Sequence, residues 1–156
     1  MAPEIRRATP EDAAGIARLN AHVQGWHAAH YPDVFFPDPD PLALEAFFRD
    51  RLGEPGVSCF LAGDPVLGYA LCALSGRALS VFSPPIRRVI VDQIAVAPEA
   101  RRRGVGAALL AAARGLARDE GCDEVLLDTW EGNHDAHAFF EANGFAVRRM
   151  LYRALP

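Results

Sequence analysis

The feature that most narrows what this chain can fold into is the run from Arg87 to Ala117. "RRVIVDQIAV" is dense in β-branched and apolar residues, as a buried strand is. It passes without a linker through "APEARRRGVG" into "AALLAAARGLA", a segment of high helix propensity. The pattern is a strand, a turn carrying an arginine triplet and two glycines, then a long helix. A helix start has four amides without intrahelical partners and a partial positive charge. Glycines at 104 and 106 permit unusual backbone angles there and let a ligand approach without a Cβ in the way. Successive amides of Arg102, Arg103, Gly104, Val105, Gly106 and Ala107 then point into one concavity, a nest suited to a diphosphate. Arg101 and Arg103 add charge-assisted bonds to further phosphate oxygens. The competing reading is a glycine-softened helix start with its arginines in water, and a lone G-x-G does not separate the two. A dinucleotide fold is excluded, because Leu109 stands where its third glycine belongs and the unit lies in the second half of the chain.

The chain has 156 residues, 51% of them apolar, the length of one domain spanning 1–156. A net charge of −4 gives no general attraction to nucleic acid, so any basic site is local. No apolar run approaches the roughly 20 residues of a membrane span, and "MAPEIRRATPED" lacks the apolar centre of a secretory signal. A cytoplasmic protein is the default expectation. Cys59, Cys72 and Cys122 are odd in number and far apart, and read as reduced small hydrophobes. All 16 basic residues are arginine, which removes lysine Schiff-base chemistry and phosphate binding through a P-loop lysine.

Along the chain, "IRRAT" predicts a short strand. Thr9, Pro10 and Asp12 then announce a helix with Ile16, Leu19 and Val23 on its buried face. "YPDVFFPDPDP" is a proline-rich loop, and "PLALEAFFRDRLGEPG" a second helix stopped by Gly53 and Pro55. "SCFLA", "GDP" and "VLGYALCAL" predict a hairpin, and "RALSVFSPPI" a loop or strand extension before the third run. The arginine-led helix reaches about Gly121, "DEVLLDTW" is a further strand, "NHDAHAFFEANGF" a short helix closed by Asn143 and Gly144, and "FAVRRMLYRAL" a final strand. This order implies an α/β or mixed sheet with helices on both faces.

"DQIAVAPEARRRGVGAALL" resembles the central signature of the GNAT superfamily of acetyl-CoA-dependent N-acetyltransferases, through Val96, Pro98, Arg101, Gly104 and Gly106. "NHDAHAFFEANGF" resembles the second signature, through Asn133, Ala136, Phe139, Phe140, Gly144 and Phe145. The resemblance is strong over 89–147 and only topological before it. It implies a mixed, mostly antiparallel sheet flanked by helices, whose fourth and fifth strands splay into a V. The cofactor it implies is acetyl-CoA. The pantetheine arm would take backbone bonds from Ile94, Ala95 and Val96, and the diphosphate would rest on residues 101–107. Asn133, Phe139 and Phe140 would border the cofactor, with Asn133 also suited to plain helix capping. Homodimers are common among members of this family.

Acyl transfer to an amine needs the amine deprotonated, the carbonyl oxygen stabilised and the thiolate released. A lysine-like amine, with a pKa of about 10.4, is less than about 0.1% neutral at pH 7, so a positioned base is useful. Asp128 is the first candidate, with Asp92 and Gln93 next. These two are adjacent on a strand and are expected to face opposite sides of the sheet. A backbone amide near the end of "DQIAV" suits the oxyanion. Many family members carry a tyrosine where Phe140 stands here, to protonate the departing sulfur. Either the thiolate leaves without that help, or His134, His137 or Tyr152 substitutes. "HVQGWHAAHYPDVFF" gathers His22, Trp26, His27, His30, Tyr31, Phe35 and Phe36, of which Trp26, His30, Tyr31 and Phe35 are the candidate acceptor-binding set. The histidines lack metal-ligand spacing, and no metal is expected. The leading reading is an N-acetyltransferase acting on a primary amine of a small molecule or a peptide N-terminus. The rival is an acyl-CoA-binding module that has lost turnover, and Phe140 is the feature that favours it.

Overall fold

The structure is a computed structural model that describes residues 3–156. Five strands form one sheet in the order β1 (Ile5–Arg7), β2 (Val57–Ala62), β3 (Gly68–Arg77), β4 (Ile86–Val96), β5 (Glu124–Leu127). The first three junctions are antiparallel, and β4 and β5 run parallel. Helices α1 (Ala13–His30) and α2 (Pro41–Leu52) follow β1, α3 (Val105–Asp119) joins β4 to β5, and α4 (His134–Ala142) follows β5.

The start of α1 is written locally. Asp12 accepts the Thr9 amide at 2.9 Å and takes both arms of the Arg6 guanidinium, at 2.7 and 2.9 Å. That hydrogen bond from Arg6, with the Thr9 amide, draws the Asp12 carboxyl down from 3.8 to about 2. At the start of α2, Asp40 accepts the Ala43 amide at 2.7 Å. Ile16 and Leu19 are buried, as their spacing predicts, with Val23 packed beside them. One cluster joins them to Phe48 of α2, Leu61 and Leu71 of the sheet, and Leu109, Ala113 and Leu116 of α3. Cys59 and Cys72 lie inside it as free thiols, and burial pushes both up to about 12.

Two expectations need correction. The first concerns β4. Leu71 faces Gln93 while Cys72 faces Val91, so Asp92 is one residue too many for the opposite strand, a β-bulge. The bulge cancels the alternation that should send Asp92 and Gln93 to opposite faces. Both side chains meet the α1–α2 layer, Asp92 through Arg51 at 2.8 Å and Gln93 through Asn20 at 3.3 Å. The second concerns the C-terminus. Residues 145–156 form no strand. Past Phe145, whose amide reaches the Phe140 carbonyl at 3.0 Å, no backbone group of this tail has a backbone partner among the described residues. Its strand-like composition is real, but no neighbouring strand accepts its ladder.

Candidate active site

Residues 101–104 turn the chain from the end of β4 into α3. Arg102 has φ 60° and Gly104 φ 79°, so two left-handed residues flank Arg103 and curl the backbone into a concavity. Among the described residues, no amide from Arg102 to Ala107 donates to a protein acceptor; Ala108 is the first, reaching the Gly104 carbonyl at 3.0 Å. Unpaired amides of this kind are satisfied by water or a ligand. A Cβ on Gly104 would meet nothing within 4 Å, so this glycine is there for its φ. Gly106 serves another purpose than the sequence suggests: a Cβ there would lie 2.7 Å from Phe139 Cζ. Its missing side chain seats the α4 ring on α3 rather than admitting a ligand. Arg101 folds back toward β4, with Nε 3.5 Å from the Val96 carbonyl.

The cleft beside this concavity comes from strand length. β4 and β5 pair from Arg88–Glu124 to Val91–Leu127 and no further. β4 continues to Val96 while β5 ends, so the edge of residues 92–96 that faces β5 is left without a strand partner. Asp92 and Asp128 are the first residues beyond the last pair, one at each side of the opening. Behind β4, the Tyr69 hydroxyl donates to Gln93 Oε1 at 2.8 Å and accepts from Asn20 Nδ2 at 2.8 Å. Burial pushes the Tyr69 phenol up, which keeps it a neutral donor. This network fixes the bulged segment from behind.

Beyond the end of β5 lies an aromatic cluster. Trp26 stacks on His30 with centroids 4.0 Å apart, and His27 on Phe35 at 4.8 Å. Tyr31 and Phe35 meet Trp130 at 4.3 and 5.4 Å. The Gly132 amide donates to the Tyr31 hydroxyl at 3.1 Å, tying the end of α1 to the loop that leaves β5. Burial, with the nearby His30 charge, lowers the His27 pKa. The predicted acceptor set, Trp26, His30, Tyr31 and Phe35, is thus gathered in one place, and Trp130 joins it. Sequence reasoning missed Trp130, although its position two residues after Asp128 is a usable signal.

The sequence profile of the acetyltransferase (GNAT) family matches residues 21–145. This chain belongs to the GNAT family. Over 158 aligned residues it is 34% identical to an aminoglycoside N(6')-acetyltransferase type 1 of Stenotrophomonas maltophilia, covering 99% of this chain and 94% of the relative. Among solved structures, the tetramutant of the BH1408 protein from Bacillus halodurans superposes with a TM-score of 0.88 at 21% identity, over 98% of this chain and 99% of that one. The aminoglycoside N-acetyltransferase AAC(6')-Iy in complex with CoA superposes with a TM-score of 0.71 at 21% identity, over 98% and 100% of the two chains. These structures share the mixed sheet expected from the two sequence signatures.

Family membership makes this GNAT protein an acetyl-CoA-dependent acyltransferase. Its expected functional residues are placed unevenly around the cleft. Asn133 caps α4, its Oδ1 accepting the Ala136 amide at 3.2 Å. Phe140 is buried against Phe139 and Phe145 with centroids 5.4 and 6.1 Å away. Asp128 is exposed and has no hydrogen-bond or ion-pair partner among the described residues, whereas Asp92 is held by Arg51. His137 Nε2 donates to the Trp130 carbonyl at 3.0 Å, and His134 is exposed at the first turn of α4. Tyr152 stands on the unpaired tail, 85% exposed, its hydroxyl 3.6 Å from Met150 Sδ. No helix among the described residues is long and apolar enough to cross a membrane.

Proposed function

We propose that this GNAT enzyme transfers an acetyl group from acetyl-CoA to a primary amine of a small molecule or a peptide N-terminus, by direct attack in a ternary complex. The observation that carries the reading is the row of unpaired amides from Arg102 to Ala107, opening beside the splayed edge of β4. Their partial positive charge and directed N–H groups suit a diphosphate, and Arg101 and Arg103 add charge beside them. The exposed Gly104 leaves room for close approach. Backbone groups of Ile94, Ala95 and Val96 suit the amide-bearing pantetheine arm. When bound, acetyl-CoA supplies the activated acetyl thioester.

The residues of this chain then divide the remaining work. Asp128, uncommitted at the open end of β5, takes the amine proton directly or through one water. Asp92 is already neutralised by Arg51, and Gln93 is committed to Tyr69 and carries no titratable proton, so neither competes for that role. A free amide on the 92–96 edge stabilises charge on the carbonyl oxygen. Phe140 donates no proton, so the thiolate leaves without a side-chain acid, which a thiol pKa of about 8.5 tolerates. The aromatic faces around Trp26, Tyr31, Phe35 and Trp130 suit stacking against a cationic acceptor. The relative named for an aminoglycoside 6'-amine favours a small polyamine over a protein.

The test is thiol release from acetyl-CoA with a panel holding an aminoglycoside, a linear polyamine and a short peptide with a free N-terminus. Acceptor-dependent release from at least one member is expected. Tight acetyl-CoA binding by calorimetry with no release for any amine would replace this reading with a binding module. Cytoplasmic residence, where acetyl-CoA is held, goes with the same proposal.

A further inference from the structure

Nothing that touches its own side chain places Asp128 at the open end of β5. The last ladder pair, Val91–Leu127, comes one residue earlier, and the exposed carboxylate has no partner among the described residues. A base must stay within hydrogen-bond reach of the amine it deprotonates, and a displacement of about 1 Å can cost about 100-fold in rate. Whatever holds Asp128 in place acts through the loop that follows it, residues 128–133.

That loop is anchored on both sides. The Trp130 carbonyl accepts the Asn133 amide and His137 Nε2, each at 3.0 Å, which ties it to the start of α4. The Gly132 amide donates to the Tyr31 hydroxyl at 3.1 Å, which ties it to the end of α1. The first anchor is local to the loop and the helix it enters. The second reaches across the molecule to a helix seated in the core through Ile16 and Leu19.

Tyr31 stands there as a fixed post. Its amide donates to the His27 carbonyl at 2.7 Å where α1 ends, and its carbonyl accepts the Val34 and Phe35 amides at 3.0 and 3.1 Å. Its ring rests on Trp130 with centroids 4.3 Å apart. Gly132 is matched to the hydroxyl. Its φ lies outside the left-handed region, so backbone geometry does not demand glycine, but a Cβ would sit 3.0 Å from Tyr31 Oη. The missing side chain is what lets the hydroxyl reach the amide.

We infer that Tyr31 is a positioning residue for the acyl transfer: its hydroxyl, through the Gly132 amide, holds the 128–133 loop so that Asp128 meets the acceptor amine. The inference rests on the proposed role of Asp128 as the base. It gives Tyr31 a task apart from the ring surface offered to an acceptor, since the ring faces the aromatic cluster while the oxygen sets the loop. One substitution separates the two tasks. Tyr31→Phe keeps the ring and deletes the oxygen.

The experiment is a double-mutant cycle of Tyr31→Phe with Asp128→Asn, read as kcat and KM from thiol release with an amine that the wild type acetylates. Tyr31→Phe alone should lower kcat by about tenfold or more and change the acceptor KM by less than about threefold. In the Asp128→Asn background the same change should lower kcat by less than about threefold, because no base is left to misplace. Gly132 is exposed, so water takes over its amide in Tyr31→Phe, and far-UV circular dichroism should stay unchanged. Deuterium exchange at the Gly132 amide, followed by NMR, should be about fivefold or more faster in Tyr31→Phe than in the wild type. An equal loss of kcat in both backgrounds overturns the inference, as does an unchanged kcat or an equal exchange rate at Gly132. Full activity in Asp128→Asn, or no release from any amine, would instead remove the base or the reaction itself, and the positioning role with it.

Discussion

Two substitutions at Gly104 separate backbone geometry from electrostatics in the proposed diphosphate nest. The residue holds φ 79°, and a Cβ there meets nothing within 4 Å, so any side chain is free of clashes but strained. Gly104→Ala should then cost about 1–2 kcal/mol of stability, the ordinary penalty for a left-handed non-glycine residue. That corresponds to a fall in Tm of about 2–8 °C for a chain of this size. Gly104→Glu carries the same penalty and adds a carboxylate at the mouth of the amides. At roughly 5 Å from a phosphate charge, with an effective dielectric between about 20 and 80, the repulsion is about 1–3 kcal/mol. Acetyl-CoA should bind Gly104→Glu about 5- to 160-fold more weakly than Gly104→Ala by calorimetry. The gap should narrow as salt is raised, because the groups are exposed. The two variants should unfold at similar temperatures. Equal affinities for Ala and Glu at low salt would remove the diphosphate from this concavity.

Other tests reach different parts of the structure. Gly106→Ala would bring a Cβ within 2.7 Å of Phe139 Cζ and should destabilise the protein by about 1–3 kcal/mol in urea unfolding, with much of that recovered by a second change, Phe139→Leu; an additive pair would mean that the ring is not what the glycine accommodates. Asp128→Asn should lower kcat by about 10²–10⁴-fold near neutral pH, and less at alkaline pH where the amine is already neutral; a pH–rate profile of unchanged shape would dismiss Asp128 as the base. Asp12 titrates near 2 when folded against 3.8 otherwise, so its bonds to Arg6 and Thr9 contribute fully above about pH 4 and fade as pH falls toward 2. The loss should be about 1 kcal/mol once solvent screening of the exposed Arg6 is allowed for, and Asp12→Asn should flatten that limb of the acid-unfolding curve.

The parts of this molecule that are local in sequence were legible before the structure. The bond between Asp12 and the Thr9 amide, the Gly144 turn and the strand–turn–helix around Gly104 each arise among residues a few positions apart. The depth of the V was legible only through the resemblance, since it depends on where β5 stops pairing with β4. The bulge at Asp92 is a mismatch in count between two strands, and neither strand records it alone. Gln93 meets Asn20 across 73 positions for the same reason: the partner is set by packing, not by spacing. At Gly106 the sequence shows that a side chain is missing without showing which neighbour, Phe139, fills the space. The composition of the tail predicts a strand, but pairing needs a neighbour, and none is found among the described residues.

The surplus residue in β4 has an effect that outlasts its own position. It joins two lengths of strand in opposite phase: before it, Val89 and Val91 point to one layer, and after it the odd-numbered Gln93 points to the other. Deleting Asp92 would restore a regular ladder and leave Gln93 opposite Leu71. Deleting a residue before it, with the bulge taken up in compensation, would shift the 86–91 stretch by one position and turn those side chains to the other face. The identity of most residues in that stretch is therefore more negotiable than their number.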